Sequence, residues 1–308
     1  MRALVIDHDR TSGFRLGTAA QPAPRPDEAL VEVGAFALNA GDLATAGGLD
    51  DGSVPGWEAA GHIVEAARDG SGPAVGTAVT TFGNGGGWAE YRAVSTAMLG
   101  TAPTDADLAA ISTVPVAANS ALRALRRSGP VLGRRIMITG ATGGVGRYAV
   151  QLAHLGGAQP IAVTRSPERF GSELRSLGAD DVVADPADYP GTVHTVIDTV
   201  GGSILVRAFD RLESGGVLIA LGHLATEVES FPPGALMATP DVNNRAIVSF
   251  HQFDGTPLPP DFTWLSGQLA KGSLKPSIAW RKSWHHVEEA ITALRNGTLH
   301  GKAVADVD

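Results

Sequence analysis

The chain of 308 residues contains no cysteine. This absence excludes disulfide bonds, cysteine nucleophiles and zinc sites built from thiolates. Long hydrophobic runs are also missing. The apolar run within residues 1–7 is too short for a signal peptide, and no later stretch approaches 18 consecutive apolar residues. We therefore expect a soluble cytoplasmic protein with no membrane partner.

The chain also lacks a surplus of basic residues, since its formal net charge is −8. An acidic balance disfavours a nucleic-acid partner, because binding to phosphates depends on released counterions. Glycine, by contrast, is abundant. The 39 glycines exceed the roughly 22 expected from average usage, which suits a fold with many tight turns.

The most informative stretch is 136–146, with the sequence IMITGATGGVG. It begins as a buried strand, breaks into a glycine-rich turn and continues as a helix. Glycines there permit unusual φ angles and let a pyrophosphate reach backbone N–H groups at the helix N-terminus. The pattern is G-x-G-x-x-G with alanine first, and a second strand at 160–164 completes a βαβ unit. The candidate cofactor-binding residues are Ala141, Thr142, Gly143, Gly144, Val145 and Gly146. The alternative is a structural turn without a ligand.

The rest of the chain divides into two patterns. Residues 1 to about 112 predict short strands separated by turns. Strands near 135–139, 160–164, 181–184, 194–198, 216–221 and 246–250 then alternate with helices at 144–155, 167–177 and 203–212, which predicts a doubly wound parallel sheet. A short helix at 265–271, a helix capped by Ser283 and a last strand at 302–307 follow. We expect that strand to return to the N-terminal β domain, so that the domains are 1–112 with 263–308, and 113–262.

Several short strings occur in a recognisable order. They are ALNAGD at 37–42, PGWEAAG at 55–61, GWAEY at 87–91, GATGGVG at 140–146 and GK at 301–302. Together they resemble the medium-chain dehydrogenase/reductase superfamily, and most of all its zinc-independent quinone oxidoreductase and enoyl reductase branches. The resemblance covers essentially the whole chain. It implies an α/β protein with a GroES-like β-rich catalytic domain and a Rossmann doubly wound parallel-sheet cofactor domain.

The end of the second strand of the βαβ unit indicates which cofactor binds. An NAD site usually places a carboxylate there, whereas this chain has Thr164, Arg165 and Ser166, followed by Arg169. Arg165 can pair with a 2′-phosphate and Ser166 can donate its hydroxyl. These residues favour NADPH. As alternatives, Ser166 can be a helix N-cap and Arg169 a solvated helix residue.

Three further residues are candidates for cofactor contact. Asp198 and Gly222 follow strands at the carboxyl edge of the sheet, where such folds bind ligands. Asp198 can instead cap the helix that starts near Ser203. Lys302 resembles a cofactor contact of the family, and its alternative is a solvated lysine on a strand.

The resemblance also places the residues of the catalytic region. Where zinc enzymes of the superfamily carry metal ligands, this chain has Asn39 and Trp57, and only Glu58 keeps its residue type. Since amide and indole are poor zinc donors, we expect no metal. Asn39 is the expected polar contact near the nicotinamide or the substrate oxygen. Asp42 is expected to orient neighbours rather than to donate a proton, because an ordinary aspartate is ionised at neutral pH.

Two further catalytic candidates and one departure complete this region. Trp57 would make the pocket bulkier and more apolar, or would simply pack in the core. Asn119 begins the helix that enters the cofactor domain, and is either a site residue or an ordinary helix start. Ala44 stands where related quinone oxidoreductases often carry a tyrosine, which puts simple quinone reduction in question.

The sequence therefore predicts an NADPH-dependent oxidoreductase that transfers hydride to an activated C=C bond or a quinone of a small-molecule substrate. Two alternatives stay open. One is a tailoring enzyme or cyclase of secondary metabolism on the same scaffold, reductive or non-redox. The other is a non-enzymatic NADPH-binding protein. By analogy with the family, the strand at 246–250 pairs with its copy in a homodimer.

Overall fold

The computed structural model describes residues 1–308, the whole sequence. It divides into two compact units. The first unit comprises Met1–Asn119 and Gly255–Asp308, and the second comprises Ser120–Asp254. The sequence predicts boundaries after residues 112 and 262, whereas the structure divides the chain after residues 119 and 254.

The chain forms strands β1–β15 and helices α1–α8. In order, the strands are Arg2–Ile6, Phe14–Thr18, Glu28–Leu38, Glu58–Glu65, Ala78–Phe82, Tyr91–Ser95, Leu99–Thr101, Arg135–Ile138, Gln159–Val163, Asp181–Val183, Val193–Asp198, Leu212–Ala220, Ala246–Ser249, Ile278–Ser283 and Lys302–Asp306. The helices are Ala40–Ala46, Leu108–Ile111, Asn119–Arg127, Gly144–Leu155, Pro167–Ser176, Gly202–Phe209, Pro259–Ala270 and Val287–Arg295.

The first unit contains a seven-stranded sheet in the order β14-β15-β3-β4-β5-β7, with β6 also paired to β3, and a separate hairpin of β1 and β2. The long strand β3 pairs antiparallel with β15, β4 and β6. Its buried Phe36 stacks on Trp88 with ring centroids 5.6 Å apart. As expected from the sequence, the last strand of the chain therefore pairs with a strand of the N-terminal segment.

The second unit contains a six-stranded sheet in the order β10-β9-β8-β11-β12-β13. All of its strand pairs are parallel. Ile136, Met137 and Ile138 of β8 are fully buried, as expected for a central strand covered on both faces. This is the doubly wound order that the alternating pattern predicts. Its topological switch point lies between β8 and β11, where such sheets bind ligands at the carboxyl ends of the strands.

Two helical segments differ from the sequence prediction. Helix α7 begins at Pro259 rather than near residue 265, because proline is tolerated in the first turn, where its missing N–H has no partner to lose.

The stretch Leu108–Arg127 has the length and hydropathy of a membrane span, although no such stretch was expected. It is 83% buried inside the protein. Since the core helix of a globular protein has the same composition, this is weak support for a membrane segment.

Candidate active site

The strand β8 runs into the glycine-rich turn and then into α4. Gly140 has a φ of +61°, which side chains resist. A Cβ added at Gly146 would lie 2.3 Å from the carbonyl oxygen of Gly140, so the turn and the helix approach as closely as only glycine allows. Gly143 is the N-cap of α4 and offers no side chain to its N-terminal N–H groups. These groups and the helix dipole fit the phosphates of a dinucleotide.

Ala141 stands where the usual fingerprint has its first glycine. It is fully buried, and its N–H donates to the carbonyl of Val163 at the end of β9 at 3.1 Å. The following four residues are only partly buried and remain accessible to a ligand; they are Thr142, Gly143, Gly144 and Val145. The alanine thus fixes the turn to the neighbouring strand without closing the cradle.

Arg147, which the sequence analysis did not single out, supports this turn from inside. Its Nε donates to the carbonyl of Thr142 at 3.0 Å, and its guanidinium pairs with Glu173 of α5. Burial lowers the pKa of Arg147, and the guanidinium carbon lies 5.9 Å from the ring centroid of Phe170. The signal in the sequence was an arginine directly after the last glycine of the turn.

The end of β9 carries the residues expected at the 2′-phosphate. Thr164 is buried, and its hydroxyl accepts the N–H of Ser166 at 3.4 Å. Ser166 is the N-cap of α5, but its hydroxyl makes no capping hydrogen bond. Arg169 lies over the ring of Phe170 at 4.7 Å. Arg165 is exposed and has no hydrogen-bond or ion-pair partner in the protein, so its guanidinium is available to an anion.

Asp198 ends β11 on the other side of the switch point and is fully buried. One carboxylate oxygen accepts the hydroxyl of Thr139 at 2.5 Å, and the other accepts the N–H of Gly201, the N-cap of α6, at 2.9 Å. Burial raises the pKa of Asp198. The carboxylate of Asp198 therefore makes its hydrogen bonds within the protein. The bond from Gly201 at the start of α6 agrees with the alternative role of Asp198 as a helix cap. Gly222 packs against the backbone of Thr199, where an added Cβ would lie 3.2 Å from the carbonyl oxygen.

In the first unit, three adjacent strands bring Lys302, Asn39 and Glu58 together. β15 begins at Lys302 and β4 begins at Glu58, and both pair with the end of β3. Asn39 follows the last residue of β3. Since neighbouring strands lie about 4.8 Å apart, the three side chains converge at one point. We call Lys302, Asn39, Glu58 and Asp42 the polar cluster.

Lys302 lies at the centre of the polar cluster and is only 4% exposed. Its Nζ donates to the carbonyl of Leu38 at 3.1 Å, to Oδ1 of Asn39 at 2.5 Å and to Oε1 of Glu58 at 2.5 Å. An ammonium has three protons, so each has an acceptor. From the sequence, Lys302 is expected at the cofactor or in solvent. In the structure it is instead a buried cation whose hydrogen bonds are all made inside the first unit.

Glu58 is fully buried and joins the strands of the cluster. Besides Lys302, its Oε1 accepts Nδ2 of Asn39 at 2.9 Å, while its Oε2 accepts the N–H of Val116 at 2.8 Å. Val116 belongs to a π-helical turn, Val114–Ala118, that leads into α3. The next residue, Asn119, begins α3 and is fully buried. The sequence shows the residue type of Glu58 but does not indicate these contacts, because its partners are distant in the chain.

Asn39 and Asp42 form a capping box at the start of α1. The backbone N–H and the Nδ2 of Asn39 both donate to Oδ2 of Asp42, at 2.8 and 3.0 Å. The other oxygen of Asp42 accepts the N–H of Trp57 at 2.9 Å. Asp42 therefore fixes Asn39 and Trp57 through hydrogen bonds, and its part in catalysis stays a prediction. Its ionisation is not ordinary, however, because burial raises the pKa of Asp42 to about 6, despite the opposing hydrogen bond from Asn39.

Arg92 is a second buried cation that the sequence analysis missed. Its Nη2 donates to the carbonyl of Trp57 at 3.0 Å and its Nη1 to the hydroxyl of Thr81 at 3.0 Å. Burial lowers the pKa of Arg92 to about 10. Nothing in the local sequence distinguishes Arg92 from an exposed arginine on a strand, since its partners lie on other strands.

The donor set of this region does not fit a zinc ion. Asn39 has both amide protons engaged and Trp57 offers no lone pair, while both oxygens of Glu58 are occupied by protein donors. No group of three or more histidine, aspartate and glutamate side chains is arranged to hold a metal ion. A metal would have to displace the ammonium of Lys302.

Comparisons with known proteins agree with this architecture. Residues 25–104 match the family model described as an alcohol dehydrogenase GroES-like domain, and residues 144–256 match that of a zinc-binding dehydrogenase. The solved structure of the quinone oxidoreductase from Coxiella burnetii is similar with a TM-score of 0.84 at 21% identity, over 100% of this chain and 99% of that one. At this identity the likeness shows the fold.

Sequence relatives point in the same direction. A chloroplastic NADPH-dependent alkenal/one oxidoreductase of Arabidopsis thaliana is 30% identical over 242 residues, which cover 69% of this chain and 58% of the relative. A 2-methylene-furan-3-one reductase of Solanum lycopersicum is 28% identical over 311 residues, which cover 92% of this chain and 73% of the relative. A GroES-like β unit together with a doubly wound nucleotide unit defines an oxidoreductase class. The chain belongs to the medium-chain dehydrogenase/reductase superfamily, in its quinone-oxidoreductase-like branch.

Proposed function

We propose that this protein is an NADPH-dependent reductase that transfers hydride to the activated C=C bond of an enone, or to a quinone, without zinc. The observation that carries the proposal is the buried ammonium of Lys302. It occupies the centre of the residues that, by resemblance, correspond to the metal site of the zinc enzymes. The ammonium of Lys302 occupies the position that a catalytic metal would need, and it binds the oxygens of Asn39 and Glu58 that could otherwise be metal ligands.

The second unit supports NADPH as the cofactor. Gly143 and Gly146 leave room for a pyrophosphate at the N-terminus of α4, and Arg165 has no protein partner. A free guanidinium at the end of the second strand can bind a 2′-phosphate bidentately. The Arabidopsis relative is named as NADPH-dependent, which agrees with this assignment.

The chemistry follows from these two features. Bound NADPH supplies a hydride. The chain has to orient an electron-poor acceptor and stabilise the negative charge that develops on the acceptor oxygen with hydrogen-bond donors. Oxidation of an unactivated alcohol would require a Lewis acid or another means of holding an alkoxide. Reduction of a conjugated acceptor needs only a hydrogen-bond donor at the acceptor oxygen, so it suits a chain whose residues in this region do not fit a metal ion.

A cofactor-binding experiment with Arg165→Ala tests the assignment. The purified protein, dialysed against EDTA, is titrated with NADPH and with NADH, and NADPH oxidation is followed with a panel of enones, enals and quinones. We expect turnover after chelation and a preference for NADPH of at least about tenfold that disappears in Arg165→Ala. Arg175→Ala, an exposed arginine on the same helix as Ser166, is the control and should bind like the wild type.

Four outcomes contradict the proposal. Equal wild-type affinity for the two cofactors removes the phosphate assignment. Activity that is lost on chelation and restored by zinc removes the metal-free mechanism. Tight binding of NADPH without turnover of any acceptor favours a non-enzymatic binder, whereas a product that is an isomer of its substrate favours a non-redox cyclase.

We further propose a homodimer formed through β13. This strand is at the edge of the six-stranded sheet and pairs only with β12. Its Ala246, Ile247 and Ser249 are exposed, and an exposed apolar edge strand is a template for pairing with another chain. Light scattering should give twice the chain mass for the wild type and the chain mass for Ile247→Lys. Val75→Lys, on an exposed position of the first unit, should leave the dimer intact.

A further inference from the structure

The hydrogen-bond donors of the polar cluster are almost all committed to the protein. Both amide protons of Asn39 are donated to carboxylates, and all three ammonium protons of Lys302 have acceptors. Arg92 directs its guanidinium to backbone carbonyls and a threonine hydroxyl. Asn39 and Lys302 cannot hold a substrate oxygen without giving up a bond to the protein, and both terminal nitrogens of Arg92 are also engaged.

Trp57 is fixed at its backbone by this same set of residues. Its N–H donates to Oδ1 of Asp42, and its carbonyl accepts Nη2 of Arg92 at 3.0 Å and the N–H of Gly83 at 2.9 Å. The two charged partners, Asp42 and Arg92, are nearly inaccessible to solvent, since each is 2% exposed. The direction in which the indole leaves the backbone is therefore set by buried groups.

The indole itself is held by its six-membered ring. A Cβ added at Gly41 would lie 2.3 Å from Cη2 and 2.5 Å from Cζ3 of Trp57, and the ring of Phe82 is tilted against it at 6.5 Å. Cη2 and Cζ3 form the edge of the indole farthest from the pyrrole nitrogen. Nε1 belongs to the five-membered ring and is not among the packed atoms, although Cζ2, on the same side of the indole, is 3.4 Å from that added Cβ. The side chain is only partly buried, and Nε1 has no hydrogen-bond partner in the protein.

We propose that Nε1–H of Trp57 is the donor that binds the carbonyl oxygen of the acceptor during reduction. This assignment rests on the proposed reductase function and names the residue that stabilises the developing charge. With NADPH bound, hydride transfer would break a C–H bond of the cofactor, leaving NADP⁺, and would form a C–H bond at the β-carbon of the enone, while the C=C electron pair would move to place negative charge on the carbonyl oxygen. The indole hydrogen bond strengthens as that charge grows, and water supplies the proton that completes the saturated ketone.

A neutral, rigid donor has a defined consequence for substrate choice. An indole N–H donates once and accepts nothing, so it favours acceptors with a carbonyl in conjugation and gives nothing to an alkene that lacks one. The tight contact with Gly41 fixes the direction of the N–H. The acceptor must therefore bind with its carbonyl oxygen next to Nε1 of Trp57. Trp57 therefore acts as a catalytic and specificity-determining residue, in addition to its packing role.

The test compares Trp57→Phe with Trp264→Phe, an exposed tryptophan of α7 that is 40% accessible. Phenylalanine keeps an aromatic ring against Gly41 but lacks the N–H. We expect kcat/KM for an α,β-unsaturated ketone to fall roughly 10²-fold in Trp57→Phe, with the loss mainly in kcat. The NADPH dissociation constant and the circular dichroism spectrum should remain those of the wild type. Trp264→Phe should retain full activity.

Indole NMR provides a readout that packing alone would not change. The protein has five tryptophans, and the ¹H–¹⁵N signal of Trp57 is identified by its disappearance in Trp57→Phe. In the complex with NADP⁺ and the saturated ketone product, this signal should move downfield while the other four stay in place. Wild-type kcat/KM in Trp57→Phe, or an unshifted indole signal in the ternary complex, overturns the assignment while leaving the reductase function intact. Absence of wild-type turnover with every acceptor overturns both.

Discussion

Lys302 and Glu58 are 244 residues apart in the chain, yet Nζ and Oε1 lie 2.5 Å from each other inside the first unit. The lysine side chain is 4% exposed and the glutamate is fully buried. Neither charge has access to water that could replace its partner. The pair therefore behaves as one neutral unit, in which each residue depends on the other.

The first prediction concerns this dependence. Lys302→Met leaves the carboxylate of Glu58 buried and unpaired, and should lower the free energy of unfolding of the first unit by about 3–5 kcal/mol. Glu58→Gln with Lys302→Met should recover most of that loss, because no uncompensated charge remains. Urea denaturation of both single variants and the double variant measures the coupling. Additive effects in the double variant would contradict a coupled pair.

The second prediction follows from Asp42. Burial raises the pKa of its carboxyl from 3.8 to about 6, so the folded protein holds a proton that the unfolded chain releases in this range. The stability that this group contributes is present below pH 3.8 and is lost as the pH rises through about 6. The full shift corresponds to about 3 kcal/mol.

Asp42→Asn should remove this pH dependence. The difference in the free energy of unfolding between wild type and variant is measured by urea denaturation at several pH values between about 3.5 and about 7. We expect that difference to change across the window and to level off above it. Asp105→Asn, on the exposed surface, is the control. A flat result for Asp42→Asn means that the carboxyl titrates normally.

The third prediction tests the glycine cradle. In Gly146→Ala the new Cβ would lie 2.3 Å from the carbonyl oxygen of Gly140 and 2.7 Å from Cα of Ala141, and backbone atoms cannot move aside cheaply. We expect a loss of about 1–3 kcal/mol in stability and at least a tenfold (about 1.4 kcal/mol) weaker NADPH affinity. Isothermal titration calorimetry gives the affinity. Gly267→Ala, in a helix with open space around it, should be neutral or slightly stabilising.

The fourth prediction concerns Arg147, which supports the turn through Thr142. Arg147→Lys keeps the positive charge but removes the planar fork that bonds the Thr142 carbonyl and Glu173 at once. NADPH affinity should fall by roughly three- to tenfold (about 1 kcal/mol for one hydrogen bond), with the preference over NADH retained. Glu173→Gln separates the two contacts, because it weakens the ion pair and leaves the Thr142 bond in place. Unchanged affinity in Arg147→Lys would show that the turn holds its shape without this arginine.

The features that sequence could predict are those set by neighbours along the chain. Helix α4 spans Gly144–Leu155, the residues predicted from a glycine turn followed by apolar residues at helical spacing. The strand order of the second unit follows from the alternation of strands and helices. The polar cluster could not be predicted in this way, because Lys302 reaches Glu58 only through the pairing of β15 with β3 and of β3 with β4. Arg92 is hidden for the same reason, and the pKa of Asp42 depends on burial that no local pattern reports.

The arrangement of β15 has a consequence for how the protein is made. The second unit is continuous in the chain, whereas the sheet of the first unit needs its last strand, Lys302–Asp306, to cover the edge of β3. A ribosome that adds about 5–20 residues per second needs roughly 10–50 s to travel from Glu58 to Lys302. During that interval the nascent chain carries an unpaired strand edge and a glutamate awaiting its cation. The sheet of the first unit therefore reaches its final form only after Lys302–Asp306 has been made, long after the synthesis of β3.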